Sequence, residues 1–397
     1  KNPRAGDSWR NRYRSLVLHD QVWYDHLPYI PFPAHWPVFT PKDKMGDWLE
    51  AYVKLMELNY WVSTEVTRAN YDAEAGLWTV HVVRDGKQVV LRPTHLVFAT
   101  GSYGPPREVH PPGAETFAGV QYHSAHHKSG EPFRGKRCIV VGANSSAHDI
   151  CADFWEHEAR EITMIQRTPT TVVRSETLMD VAFAPLYSEE AVQNGIDVDT
   201  ADMIFASVPF RLMADAQRPL YAEIARRDAD LIRRLNAKGF MTDYGPDESG
   251  LMMKALRTGS GYYLDVGCSD IIASRGIGVR SGVEIARLTR DAAILTDGSE
   301  VPADVIVYAT GYLPMNEWVA KIVSREAADL IGPNWGYGSG TRGDPGPWQG
   351  ELRNMWKPLA HENLWFHGGN LHLSRFNSKF LALQLKARFE AIPTPVY

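Results

Sequence analysis

Cysteine is nearly absent: three residues in 397, at Cys138, Cys151 and Cys268, with no C-x-x-C pair. That excludes a disulfide framework and a dithiol redox motif, and it predicts a reducing, cytoplasmic setting. No run reaches the roughly eighteen apolar residues that span a bilayer, and no charged-then-apolar leader opens the chain. Blocks of Lys or Arg are missing too. The 42 basic and 47 acidic side chains leave a formal charge of −5, so neither nucleic acid nor an acidic membrane surface is expected as a partner. The length exceeds one comfortable core, and two domains, or one interrupted by another, are expected. What the chain does have is tryptophan, twelve in all. Aromatic packing explains them, and so does a lining for an aromatic cofactor or substrate.

Residues 1–40 are aromatic, Pro-rich and irregular. Met45, Leu49, Tyr52, Val53 and Met56 repeat at helical spacing and predict a helix over 44–58. Strand-like runs follow at 61–69, 77–84 and 87–91, the last two joined by an Asp85-Gly86 turn. An apolar strand at 95–100 ends in Ala99-Thr100-Gly101, and the Pro-rich stretch 104–113 reads as a linker. Next comes a strand–helix–strand unit over 137–141, 145–159 and 161–166. Residues 176–258 read as an inserted, mostly helical cap. From residue 261 the sheet pattern returns: a buried-type strand at 304–308 running into Ala309-Thr310-Gly311-Tyr312, a short strand at 363–366, and a helix at 378–389. The two A-T-G strand ends are the one hint of duplication.

The chemistry concentrates at Gly142-Ala-Asn144-Ser145-Ser146-Ala147. A dinucleotide pyrophosphate needs a strand end, a tight turn and helix N-terminal N–H groups aimed at the anion, usually spaced G-x-G-x-x-G/A. Asn144 holds the middle position, and Asn tolerates left-handed backbone better than most residues. Ser145 and Ser146 add hydroxyls at the first turn. This is the one strand–glycine turn–helix unit legible in the chain, and it predicts a dinucleotide site. In a NAD site the second strand ends in an acid for the ribose 2′-hydroxyl, whereas an Arg there takes a 2′-phosphate. Here Gln166-Arg167-Thr168 stands at that point with no acid nearby. Arg167 offers a fork for phosphate, which favours NADP(H); an exposed surface Arg is the plainer alternative.

A second motif is F-x-G-x-x-x-H at Phe117, Gly119 and His123, continued by His127-Lys128. With it the chain resembles the flavin-containing monooxygenases, class B flavoproteins that include the YUCCA enzymes and neighbour the Baeyer–Villiger monooxygenases. Their fingerprint, F-x-G-x-x-x-H-x-x-x-(Y/F/W)-(K/P), is matched except that His127 replaces the aromatic. Lys128 leans toward the flavin-containing branch. In the family this segment couples the two nucleotide domains. A metal cluster at His123, His126 and His127 is not expected, because no carboxylate or Cys stands at ligand spacing. The resemblance extends over nearly the whole chain. Gly6-Asp-Ser-Trp9-Arg10 is similar to the segment whose Trp packs near the flavin. Leu18-His19 falls where relatives carry a polar segment close to the flavin, which makes His19 a candidate for the oxygen site; a packing or capping role is the other reading. Gly101 and Gly311 close the paired A-T-G ends. The stretch 367–384 resembles the C-terminal flavin-side segment, with Asn370 and Arg375 as its polar candidates.

The resemblance implies an α/β fold of two three-layer dinucleotide-binding domains of glutathione-reductase type, the NADP domain inserted in the FAD domain. The expected division is 1–112 for the first part of the FAD domain, 113–260 for the NADP domain with its helical insertion at 176–258, and 261–397 for the return of the FAD domain. The implied function is NADPH- and FAD-dependent monooxygenation of a small organic substrate with O2, at nitrogen, sulfur or a carbonyl carbon, through a C4a-hydroperoxide of the flavin. The cofactor makes the bonds, so no side-chain acid–base pair is demanded. A homodimer is left open. The family's first phosphate loop, expected ahead of a segment like 1–9, is not in this sequence. Gly336-Tyr-Gly338-Ser-Gly340 and Gly276-Ile-Gly278 lack the flanking strand and helix to replace it. A fragment of a longer monooxygenase is therefore expected, and the alternative is a non-catalytic NADP(H)-binding fragment or a truncated relative that has lost FAD.

Overall fold

Arg137–Val141 holds three consecutive buried residues, the pattern of a parallel strand covered on both faces. In the computed structural model, which describes residues 1–274, 276–336 and 352–394, it is the middle of a five-stranded parallel sheet. The order across that sheet is Gly278–Ser281, Glu161–Gln166, Arg137–Val141, Val305–Tyr308 and Val120–His123. The helix Ser145–Glu156 covers one face, burying Ala147, Ile150, Cys151 and Phe154 against Cys138 and Val140. An antiparallel meander of Ile285–Leu288, Ala292–Leu295 and Glu300–Pro302 covers the other, with Leu288, Ala293 and Leu295 packed on Ile139, Ile165 and Ile306. Helix, sheet and meander make the three layers.

This sheet corrects the expected domain division. Gly278–Ser281 and Val305–Tyr308 belong to the layer that carries Gly142, so that body runs well past residue 260. An apolar run says that a strand is covered on both faces; it does not say which sheet takes it. Between the parallel pair Thr171–Arg174 and Tyr262–Asp265 the chain is mostly helical, with longer helices at Val198–Ala206, Phe210–Arg227, Ala229–Ala237 and Gly250–Thr258.

The other body holds the antiparallel meander Thr64–Asp72, Leu77–Arg84 and Lys87–Leu91. Asp85 and Gly86 both take positive φ, 48° and 76°, in its tight turn. Leu96–Phe98 pairs in parallel with Leu364–Phe366, and the helix Leu371–Phe389 follows. Trp78, Val80, Val82, Phe98 and Phe366 share one core there. The first forty residues are more ordered than their composition suggested: a helical turn at Asp7–Arg10 and a strand pair Val17–Gln21 with Phe39–Pro41 precede the helix Lys42–Leu55. Gly6, at φ 84°, lies so close to this helix that a Cβ would meet Gly46 O at 2.1 Å.

The two bodies are joined twice, by the segments that follow the A-T-G ends, and these run antiparallel side by side. Gly104 N donates to Leu313 O at 2.7 Å, Leu313 N to Pro105 O at 2.9 Å and Arg107 N to Gly311 O at 3.0 Å. A Cβ on Gly104 would meet Pro314 O at 2.1 Å, so only glycine allows the approach. Of the Gly336–Gly340 loop, everything from residue 337 lies outside the described residues. No helix among the described residues is long and apolar enough to cross a membrane.

Candidate active site

Gly142 closes the central strand at φ 128°, and a Cβ there would lie 2.4 Å from Ala309 O. The second A-T-G end is therefore what demands glycine, because it lies directly against the turn. Asn144 is the N-cap residue in extended conformation, and its side chain makes no capping bond. Its carbonyl accepts from Ala147 N and His148 N at 2.9 and 3.1 Å. The turn and first helical residues, Gly142 to Ala147, line a cavity of about 1490 Å³. An uncapped helix terminus facing open space is the arrangement that holds a pyrophosphate.

His148 makes the helix start rigid. It is fully buried, its Nδ1 lies 3.1 Å from Asn144 O, and its ring stacks on Tyr263 at 3.8 Å. Burial pushes its pKa down to about 4, against a smaller upward pull from the Asn144 carbonyl. The unfolded chain, with an ordinary His near pH 6.5, takes up the proton first as pH falls. Stability is thus lost below about pH 6.5, by about 2 kcal/mol at pH 5 for this one group. Urea unfolding at pH 7.5 and pH 5.0 should show His148→Phe losing less than the wild type by that amount; equal losses would count against it.

A second strand–glycine–helix unit escaped the sequence reading: Tyr262–Asp265, then Val266-Gly267, then Cys268–Ala273. Its N–H groups are already used. Asp265 Oδ1 accepts from Gly267 N and Ser269 N at 3.0 and 3.2 Å, and Tyr263 OH accepts from Val266 N and Cys268 N at 3.2 and 3.4 Å. It offers no anion seat.

The cavity brings together most of the expected site. Trp9, His19, Gly101, Arg167, Thr168, Gly311 and Asn370 all line it with the Gly142 loop. Its volume exceeds the roughly 300–1,000 Å³ of single-ligand pockets, which leaves room for more than one ligand. Gly101 and Gly311, at φ 94° and 79°, have nothing within 4 Å of a would-be Cβ and stand open. Arg167 is not free of acids as its neighbours in sequence suggest: Glu284, 117 residues away, accepts from it at 3.0 Å.

Tyr13 and Asp149 are among the lining residues that were not foreseen. Tyr13 OH donates to Asp149 Oδ2 across 136 residues. Burial pushes the Asp149 carboxyl up, with the Tyr13 hydrogen bond pulling it partly back. Asp149 stands four residues after Ser145, so helical spacing could have placed it on the cavity face. Nothing in the sequence points to Tyr13.

The fingerprint residues Phe117, Gly119, His123 and Lys128 lie outside the cavity lining and act from behind it. A Cβ on Gly119 would meet the Phe117 ring at 2.6 Å and Asp304 O at 2.4 Å, which explains the F-x-G spacing as a packing unit. His123 accepts from Ala125 N on Nδ1 at 3.0 Å, so Nε2–H donates to Gly311 O at 2.9 Å and fixes the second A-T-G end. His127 keeps a flat ring where relatives have an aromatic, parallel to Tyr122 within 8°. It is buried, with Nε2 2.7 Å from Asp153 and Nδ1 3.0 Å from Tyr122 OH. Lys128 Nζ donates to Asn11 O, and Arg14 N donates to Lys128 O at 2.9 Å, tying the segment to the N-terminal body.

Arg375 is a correction. It is 1% exposed and does not line the cavity. Its guanidinium donates twice to Asp202, at 2.8 Å each, and to the carbonyls of Tyr24 and His26 at 2.9 and 2.7 Å. Four of the five N–H groups of the fork are committed to these partners, which hold the C-terminal helix and keep the guanidinium out of the cavity wall. Asn370 does line the cavity, while its Oδ1 caps the same helix by accepting from Leu373 N at 2.9 Å.

Residues 5–181 match the family described as flavin-binding monooxygenase-like. The indole-3-pyruvate monooxygenase YUCCA1 of Oryza sativa subsp. japonica is 32% identical over 310 residues, covering 77% of this chain and 68% of that protein. The chain belongs to the flavin-containing monooxygenase family. It is an enzyme, an NADPH- and FAD-dependent monooxygenase that takes O2 and a small-molecule substrate. The probable indole-3-pyruvate monooxygenase YUCCA9 of Arabidopsis thaliana is 29% identical over 309 residues, 77% of this chain and 66% of its own. In fold this monooxygenase is similar to the flavin-containing monooxygenase from Stenotrophomonas maltophilia, with a TM-score of 0.58 at 18% identity over 96% and 88% of the two chains. It is also similar to a cyclohexanone monooxygenase mutant from Rhodococcus sp. Phi1 bound to NADP+, with a TM-score of 0.64 at 16% identity over 96% and 79%. Each of these relatives is an oxygenase, and none of them supports the non-catalytic alternative.

Proposed function

We propose that the cavity seats both cofactors and the substrate. The observation that carries this is that the Gly142 turn, both A-T-G ends and the Trp9 segment, drawn from two bodies, line one continuous space. In this reading, Gly142, Asn144, Ser145, Ser146 and Ala147 hold the pyrophosphate of NADPH, and Arg167 with Thr168 hold its 2′-phosphate. Trp9, Gly101 and Gly311 bound the flavin. When bound, FAD accepts hydride from NADPH and supplies the activated oxygen. The chain's own part is orientation and exclusion of water. Gly311 is held in place from behind by His123, and Tyr13 with Asp149 pins the N-terminal body to the phosphate helix. His19 and Asn370 face the reacting end, and the Asn370 amide donates to Tyr24 OH at 3.5 Å. The body carrying Gly142, roughly residues 105–313 on the hydrogen bonds at the crossing, is the NADP-side domain, and the rest is the FAD-side domain.

The oxygenation is of nitrogen, sulfur or a carbonyl carbon. The curated relatives are named for indole-3-pyruvate, so a carbonyl compound of that kind is the first substrate to supply. We place the reaction in the cytoplasm, in keeping with three free, buried cysteines. With FAD added, the protein should sustain NADPH oxidation only when O2 is present, stopping after the bound flavin is reduced when it is absent, and should transfer ¹⁸O from ¹⁸O2 to the product. Oxidation of NADPH without label in any organic product would refute the oxygenase site.

A further inference from the structure

Arg167 and Glu284 meet because strand Gly278–Ser281 lies beside Glu161–Gln166, with Ser281 opposite Gln166. Gly282 N donates to Gln166 O at 2.8 Å and fastens the two strand ends together. Past that point Glu284 is anchored by its backbone, its N–H donating to Thr296 Oγ1 at 3.2 Å and its carbonyl accepting from Thr296 N at 2.9 Å. The two side chains are 73% and 54% exposed, pair at 3.0 Å, and line the cavity together with the Gly142 loop.

In sheets of this topology the strand after the phosphate helix ends at the adenosine ribose. An acid there accepts from the 2′-hydroxyl, and an Arg takes a 2′-phosphate. This strand end has both groups, the acid arriving from the neighbouring strand. We propose that Glu284 is a coenzyme-discriminating residue: its carboxylate accepts from the ribose hydroxyl of NADH and, by engaging Arg167, restrains the hold on NADPH, so that the seat takes both coenzymes. This rests on the seating of the coenzyme at Gly142 proposed above.

The charges set the direction. A 2′-phosphate must draw Arg167 away from Glu284 and lie near a second negative group, and both disfavour NADPH. An exposed pair of this kind resists by no more than about fivefold, so NADPH still binds. For NADH the same carboxylate is a charge-assisted acceptor and Arg167 has no phosphate to meet.

Glu284→Gln in the full chain separates these effects, with Kd for NADPH and for NADH measured by calorimetry at low ionic strength. Glu284 lies on the surface, and an unchanged unfolding temperature would show the fold intact. Kd for NADPH should fall about threefold and Kd for NADH rise about fivefold, moving their ratio by more than tenfold. Raising the salt to about 1 M, where the Debye length is near 3 Å, should erase most of the NADPH gain. Wild-type protein that binds NADPH, paired with an E284Q variant of unchanged coenzyme ratio, overturns the role of Glu284 alone. Wild-type protein that takes up neither coenzyme overturns the seat at Gly142 and this proposal with it.

Discussion

Arg167→Ala should weaken NADPH by about ten- to thirtyfold while changing NADH by less than threefold. A charge-assisted contact with phosphate contributes about 1.5–3 kcal/mol, and the lower part of that range applies because Arg167 is 73% exposed and already engaged by Glu284. The strand Glu161–Gln166 delivers Arg167 to the cavity wall, and Thr168 lines it beside Arg167. NADH carries no 2′-phosphate, so the two coenzymes differ only in the group that Arg167 meets. Calorimetric titration with each coenzyme decides it. Equal losses would mean that the guanidinium reads some other part of the nucleotide, and the phosphate role would fail.

Arg375→Met should cost about 3–5 kcal/mol of stability, the largest effect expected of any single change described. Asp202, 1% exposed, would be left as a buried charge without its cation. Burial by itself pushes that carboxyl up, but the hydrogen bonds from Arg375 and then His372 overcome this and hold it below the ordinary carboxylate range. Tyr187 OH joins the same network, 3.0 Å from Asp202 and 2.9 Å from His372. The double variant Arg375→Met with Asp202→Leu should recover a large part of the loss, because an apolar pair has no charge to strand. Urea unfolding of the three variants tests this. A single variant that unfolds like the wild type but no longer turns over substrate would restore Arg375 to the reaction.

What could be read in the sequence was local. The strand Arg137–Val141, the Gly142 turn and the strand Glu161–Gln166 lie within thirty residues, and each is specified by its own apolar run or glycine. Arg167 was legible for the same reason, since its position after the strand carries its meaning. The pairings that complete the site were not. Tyr13 with Asp149 and Arg167 with Glu284 span 136 and 117 residues, and sheet order and domain packing bring them together. Arg375 shows the opposite failure. A polar residue in a segment that resembles a flavin-side wall looked chemical, yet one turn of helix decides whether it faces the cavity or the core. Asn370, at the cap, faces the cavity; Arg375, five residues on, faces Asp202.

Because Gly104 and Pro314 touch where the chain crosses between bodies, everything from residue 105 to residue 313 departs and returns at one point. That stretch is a cassette with adjacent ends, the condition under which one domain can be spliced into another without spreading the host apart. The outer body could be closed across the gap by a short bridge, and the cassette could be exchanged for that of a relative. Coenzyme preference would travel with the cassette, since the Gly142 turn, Arg167 and Glu284 all lie inside it, while Trp9, His19 and Asn370 would stay with the host.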